Sequence, residues 1–341
     1  MANQCRISVG LIVVVLAFSP VPVAVQGVTD GSGWTLPRTA DGQPDFHGVW
    51  ANNNVTPLER PPQWVGKAWL TDEEVATLKV AAARVVESGL DAQFGDQLVL
   101  KALAGLKDAD SYDTTGNYNQ FWMADREFTH QTSLVIDPPD GHVPALTTAA
   151  EQRAEQRTAH RRAHPADGPE DRSLGERCVN FGVPRLGAGY NSYFQIFQTP
   201  GHVAVYREMA HDVKLIPLDG GPHVSGRVPQ WNGDSRGRWE GDTLVVETTN
   251  FSPRSNFRGS AEHLHLVERY TRVGPDTLNY EVTVTDATIW SRPWTVLIQL
   301  KRSEDPIFEY ACHEGNYGME GILSGHRALE RTDLEALART R

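Results

Sequence analysis

The sequence predicts a mainly β protein with helical embellishments, folded as an antiparallel up-and-down β-barrel or a strongly curled sheet; a β-sandwich is the competing arrangement. Three observations predict it. From Cys178 onward, runs of β-branched and aromatic residues recur at short intervals. The connectors between them, such as Thr199-Pro200-Gly201-His202, Leu218-Asp219-Gly220-Gly221 and Val273-Gly274-Pro275-Asp276, are short and rich in turn residues. Helical periodicity is found only earlier in the chain.

At the start, Arg6 precedes an apolar run over 9–18, too short to span a bilayer, followed by Pro20, Pro22 and small residues. Residues 1–26 are therefore expected to be a secretory signal peptide cut after Gln26, with an uncleaved anchor as the alternative. No later stretch is apolar enough to cross a membrane, so a soluble periplasmic or extracellular protein is expected. The net charge of −11 argues against a nucleic-acid partner. The one basic cluster, Arg153 to Arg162, is interleaved with Glu151 and Glu155 and reads as a solvated helix face. The sequence sets no oligomeric state.

Cys5 leaves with the signal peptide, so Cys178 and Cys312 remain as an even pair. In an oxidising compartment they are expected to form a disulfide, worth roughly 4–5 kcal/mol on the chain-entropy model for so long a loop. The alternative is two free thiols, with Cys312 a nucleophile beside His313.

Residues 27–70 are expected to be an extended arm, because Pro, Gly and aromatic residues around Asp41-Gly42-Gln43-Pro44-Asp45-Phe46-His47-Gly48-Val49-Trp50 cannot make a helix. Phe46 and Trp50 would lie against the body, and Pro57, Pro61 and Pro62 would continue in polyproline form. Residues 71–175 form a helical and loop segment. Thr71-Asp72-Glu73-Glu74 is a capping box opening a helix with apolar residues at Val75, Leu78, Ala82, Val85 and Val86. Further helices are expected over 97–106 and 148–164, the latter ended by Pro165, with a short strand over 132–137 between them. The connection over 112–126 carries Tyr118, Phe121 and Trp122 and reads as packed loop over a sheet end, or as a pocket wall.

The barrel is placed over 176–330, followed by a tail over 331–341, with arm and helices packed on it as one domain. Its strands are expected at 193–199, 202–209, 213–218, 243–249, 264–273, 277–285, 294–301 and 307–312. Asn232-Gly233-Asp234-Ser235 and Glu240-Gly241-Asp242 read as turns framing the strand that begins at Thr243.

Asp41-Gly42-Gln43-Pro44-Asp45, Asp137-Pro138-Pro139-Asp140-Gly141, Glu176-Arg177-Cys178, the run Gln195 to Gly201, the run Gly233 to Phe251 and the run Glu309 to Tyr317 together resemble a large family of exported, mostly uncharacterised bacterial proteins. The resemblance covers nearly the whole mature chain and implies no assigned reaction. The β region also looks lipocalin-like, an analogy of architecture that implies a ligand cavity only weakly.

Strand parity separates an apolar face from one bearing His, Glu and Arg. Leu264, Leu266, Glu268 and Tyr270 share one face, and His263, His265, Val267 and Arg269 the other. If the apolar faces pack on the arm and helices, the polar faces line a cavity; if the polar faces meet solvent, they serve solubility. In the cavity case His211, His265, Asp234, Arg236, Glu247, Glu281 and His313 are the candidate catalytic groups. A His–carboxylate pair takes and returns a proton near neutral pH, and an arginine holds a developing oxyanion. Each has a plainer role, as turn cap, cross-strand ion pair or packing residue. Trp231, Trp239, Tyr280, Trp290 and Trp294 are candidate walls for an apolar or aromatic ligand. His263 and His265, two apart on a strand, are a candidate metal pair with no third ligand fixed by spacing, so no cofactor is expected beyond that possibility. No G-x-S-x-G elbow, phosphate loop or dinucleotide fingerprint occurs. Three functions follow: acid–base chemistry on a small organic molecule (hydration, elimination, isomerisation or hydrolysis), non-catalytic ligand binding, or an envelope-associated structural role.

Overall fold

Ten strands form one antiparallel sheet in the computed structural model, which describes residues 33–88, 95–105, 125–189 and 191–339. The expected signal segment, Cys5 and most of the aromatic connection, with Tyr118, Phe121 and Trp122, lie outside the described residues. The strands are β1 (Gly48–Ala51), β2 (Val135–Asp137), β3 (Tyr193–Thr199), β4 (His202–Arg207), β5 (Asp212–Pro217), β6 (Asp234–Glu240), β7 (Thr243–Thr249), β8 (His265–Arg272), β9 (Thr277–Thr285) and β10 (Trp294–Ser303). Their order is β5-β4-β3-β1-β10-β9-β8-β7-β6, with β2 paired to β10 off this path.

The sheet curls into a nearly closed barrel. Nine strands alternate in direction along the path, and because nine is odd the two end strands, β5 and β6, run parallel. Asp212 meets Asn232, and Ile216 meets Gly237, so residue numbers rise together across the seam. No ladder joins β5 to β6 among the described residues. Gly237 permits the approach: a Cβ there would stand 2.5 Å from Ile216 Cγ2 and 2.8 Å from Leu218 Cδ2.

On β8 and β9 the mainly apolar faces point into the barrel and the mainly polar faces point out; on β5 Val213 and Leu215 point out and Lys214 in. Phe46, Trp50, Leu266, Leu278, Val282, Trp294 and Ile298 fill the inside. A second apolar cluster joins α1 (Asp72–Glu87) and α2 (Gln97–Ala104) through Val75, Leu78, Ala82, Val85, Leu98 and Val99, with Val55 and Leu70. The capping box of α1 forms as the sequence predicts: Glu74 N donates to Thr71 Oγ1 at 3.3 Å and Thr71 N to Glu74 Oε2 at 2.8 Å. Helix α3 spans Thr148–Ala163, and α4 spans Tyr317–Arg339. Cys178 and Cys312 are disulfide-bonded, with Cα atoms 5.7 Å apart.

Four expectations are corrected. The N-terminal arm supplies a central strand: β1 pairs with β3 on one side and β10 on the other, and Trp50 is fully buried. Four residues are too few for alternation to register, and their partners lie far along the chain. Asp234, Ser235 and Glu240 lie in β6 and not in turns; Gly241 and Asp242 alone make the two-residue hairpin to β7, with Gly241 at φ +60°. The strand expected over 307–312 does not form, since the two open sheet edges face each other and leave it no partner. The barrel ends before residue 317, and the expected tail is the end of α4. Asn316 caps that helix by accepting from Met319 N at 3.3 Å.

Candidate functional site

The interior holds an ionic cluster. Glu268, on the buried face of β8, is fully enclosed. Lys214, the inward residue between outward Val213 and Leu215 on β5, donates to Glu268 Oε2. Tyr280 OH donates to Glu268 Oε1 at 2.7 Å and Tyr270 OH at 3.3 Å, their rings stacked with centroids 4.7 Å apart. Thr248 Oγ1 donates to Oε2 at 3.3 Å and shares a 2.9 Å hydrogen bond with Ser235 Oγ. Burial opposes the charge on Glu268, but Lys214, Arg207 and Tyr280 hold its carboxyl below the ordinary range. Burial lowers Lys214, and Glu268 opposes that lowering.

Outside this cluster, at the seam, lies a cleft of about 760 Å³. Buried Lys214 and Ser235 form its floor; Trp231, Asn232 and Asp234 line one side, and Arg254 stands on the loop after β7. Trp231 is 38% exposed. The guanidinium of Arg254 has no ion-pair or hydrogen-bond partner among the described residues. The barrel interior itself is packed with side chains, so the expected lumen cavity is replaced by this open cleft.

Asp234 carries a histidine that sequence reasoning missed. Its Oδ2 accepts from His223 Nδ1 at 2.8 Å and from Val224 N at 3.1 Å, with Arg236 Nε 3.4 Å away. His223 Nε2 is buried and has no hydrogen-bond partner among the described residues. Nothing local marks His223, which sits in an irregular loop far from any strand pattern. Glu268 did leave a signal, a charge on a face that otherwise reads apolar, whereas Lys214 shares its strand face with Asp212, and the apolar residues Val213 and Leu215 make the opposite face.

Of the predicted catalytic residues, Asp234, Arg236, Glu247 and His265 come together on the outer face of β6, β7 and β8. Arg236 lies opposite Glu247, and Glu247 Oε1 bonds His265 Nε2 at 2.7 Å. That bond holds the Glu247 carboxyl below its ordinary range. Glu281 faces out on β9, opposite Arg269, and burial raises its carboxyl. His211 is elsewhere, exposed between β4 and β5 with Nδ1 3.0 Å from Tyr310 O. His313 lies in an exposed turn beside the disulfide. The polar faces therefore line no common cavity, and the sevenfold constellation is not assembled.

The predicted walls divide as well. Tyr280, Trp290 and Trp294 are core residues, 1%, 2% and 0% exposed, and Trp239 packs on Phe46 with centroids 5.4 Å apart. Only Trp231 reaches the cleft. His263 is turned to Glu262 at 3.7 Å while His265 is held by Glu247, so the candidate metal pair gains no third ligand among the described residues. No described helix is long and apolar enough to cross a membrane. Comparison with family models, curated proteins and solved structures finds no match to this chain.

Proposed function

We propose that this protein is exported and binds a small organic anion with a flat apolar body in the seam cleft. One observation carries the reading: the only interruption of the hydrogen-bonded barrel wall among the described residues is also where a cleft of ligand size opens over a buried ionic cluster. Trp231 offers a ring face to the apolar body, and Arg254 is a cation in need of a counter-charge. The disulfide fits an oxidising compartment. Isothermal titration with aryl carboxylates and their neutral amides tests the reading. Carboxylates are expected to bind, Arg254→Ala to weaken them about tenfold, and Trp231→Ala to abolish quenching of tryptophan emission. Equal binding of the amides, or an inert Arg254→Ala, would reject it.

The His223–Asp234 pair favours a second reading, acid–base chemistry on the bound molecule. Asp234 lines the cleft, while His223 is outside its lining with Nε2 enclosed, so proton transfer would run through the Asp234 carboxylate, which His223 orients through Nδ1. Under this reading Asp234→Asn retains ligand affinity and loses turnover.

A further inference from the structure

Helix α4 meets the rest of the chain along one stripe. Met319, Ile322, Leu323, His326, Arg327 and Glu330 are half-buried and spaced three and four apart. The stripe begins apolar and ends polar. No described side chain of α4 is fully buried, so packing alone holds this helix weakly.

Opposite the polar end stands Asp167, in the loop after α3. His326 Nε2 lies 3.3 Å from Asp167 Oδ1 and 3.4 Å from Glu330 Oε1. One ring nitrogen carries at most one proton and serves both carboxylates only by sharing it in two long contacts. Ligand atoms 2.0–2.1 Å from a tetrahedral zinc-class ion stand about 3.3–3.4 Å apart, which matches both spacings. All three ligand atoms lie within 4.8 Å of one another. His326 and Glu330 are one helical turn apart, a spacing that turns both side chains to the same side. Asp167 is oriented from behind: its Oδ2 lies 2.6 Å from His164 Nδ1, the outer contact that metal-bound carboxylates commonly make. Arg327 Nη1 bonds both Glu330 oxygens at 2.7 Å, and each oxygen keeps a second lone pair.

We infer that Asp167, His326 and Glu330 bind one divalent transition-metal ion of the zinc class, which fastens α4 to the loop after α3. Three protein ligands leave one position to solvent. The site shares no residue with the seam cleft and stands independently of it.

The test uses the full chain stripped with a chelator and titrated with Zn²⁺ by calorimetry, then with Co²⁺ by visible absorption. One equivalent of Zn²⁺ is expected, with the intense visible bands of tetrahedral Co²⁺ and a raised melting temperature. His326→Ala and Glu330→Gln, each confirmed as folded by circular dichroism, are expected to lose at least tenfold in affinity, and His263→Ala to lose nothing. Absence of zinc uptake by the wild-type chain, or unchanged affinity in both His326→Ala and Glu330→Gln, would overturn the inference.

Discussion

At the scale of single residues, the buried ion pair at the barrel seam governs what the protein tolerates. Lys214→Met leaves the Glu268 carboxylate enclosed with no cation bonded to it, and breaking such a pair costs about 3–5 kcal/mol. Urea denaturation should show that loss, and Lys214→Met combined with Glu268→Gln should recover most of it. Glu281 tests the opposite sign. Burial raises its carboxyl, so its contribution is whole below the unfolded pKa of about 4.3 and is lost as pH rises through the higher folded value. Glu281→Gln should therefore raise the melting temperature at pH 7 and leave it unchanged near pH 3. Lys214 reads as outward, since Val213 and Leu215 make the apolar face of β5, whereas Glu268 was readable as a charge interrupting an apolar alternation. His223 was not, because its partner Asp234 is brought to it by the course of a loop.

At the scale of elements, closure depends on how near β5 lies to β6. Gly237→Val places side-chain atoms where Ile216 and Leu218 already stand, and overpacking of this kind costs about 1–3 kcal/mol. If the seam governs the cleft, the same variant lowers ligand affinity beyond what its stability loss explains, measured by titration well below its melting temperature. Helix α1 is a simpler case: Thr71→Ala removes a cap worth about 1 kcal/mol, measurable as a lower urea midpoint at constant slope. Both α1 and the long hairpins were legible because cap, period and turn residues sit close together in the chain. Strand β1 and the orphan stretch over 307–312 were misread for one reason: whether an extended segment becomes a strand depends on an available edge. Helix α4 was not read from the sequence because glycine at 318, 321 and 325 masks its period.

At the scale of the whole molecule, the disulfide spans 134 residues and links the stretch before β3 to the turn that precedes α4. Replacing Cys178 and Cys312 together by serine should cost about 5 kcal/mol on the chain-entropy model, read as a shift in denaturation midpoint that reducing agent reproduces in the wild type. The sequence by itself determined the β character of the second half, the division of its strands into two unlike faces, the capped helix after residue 71 and the expected pairing of two cysteines. All of these follow from neighbours within a few residues, or from elimination among three cysteines. Only the tertiary structure decided which strands are neighbours, that an odd number of them closes as a parallel seam, and that a cleft lies there in place of a lumen. Those outcomes depend on contacts between residues far apart in the chain, where local periodicity carries no information.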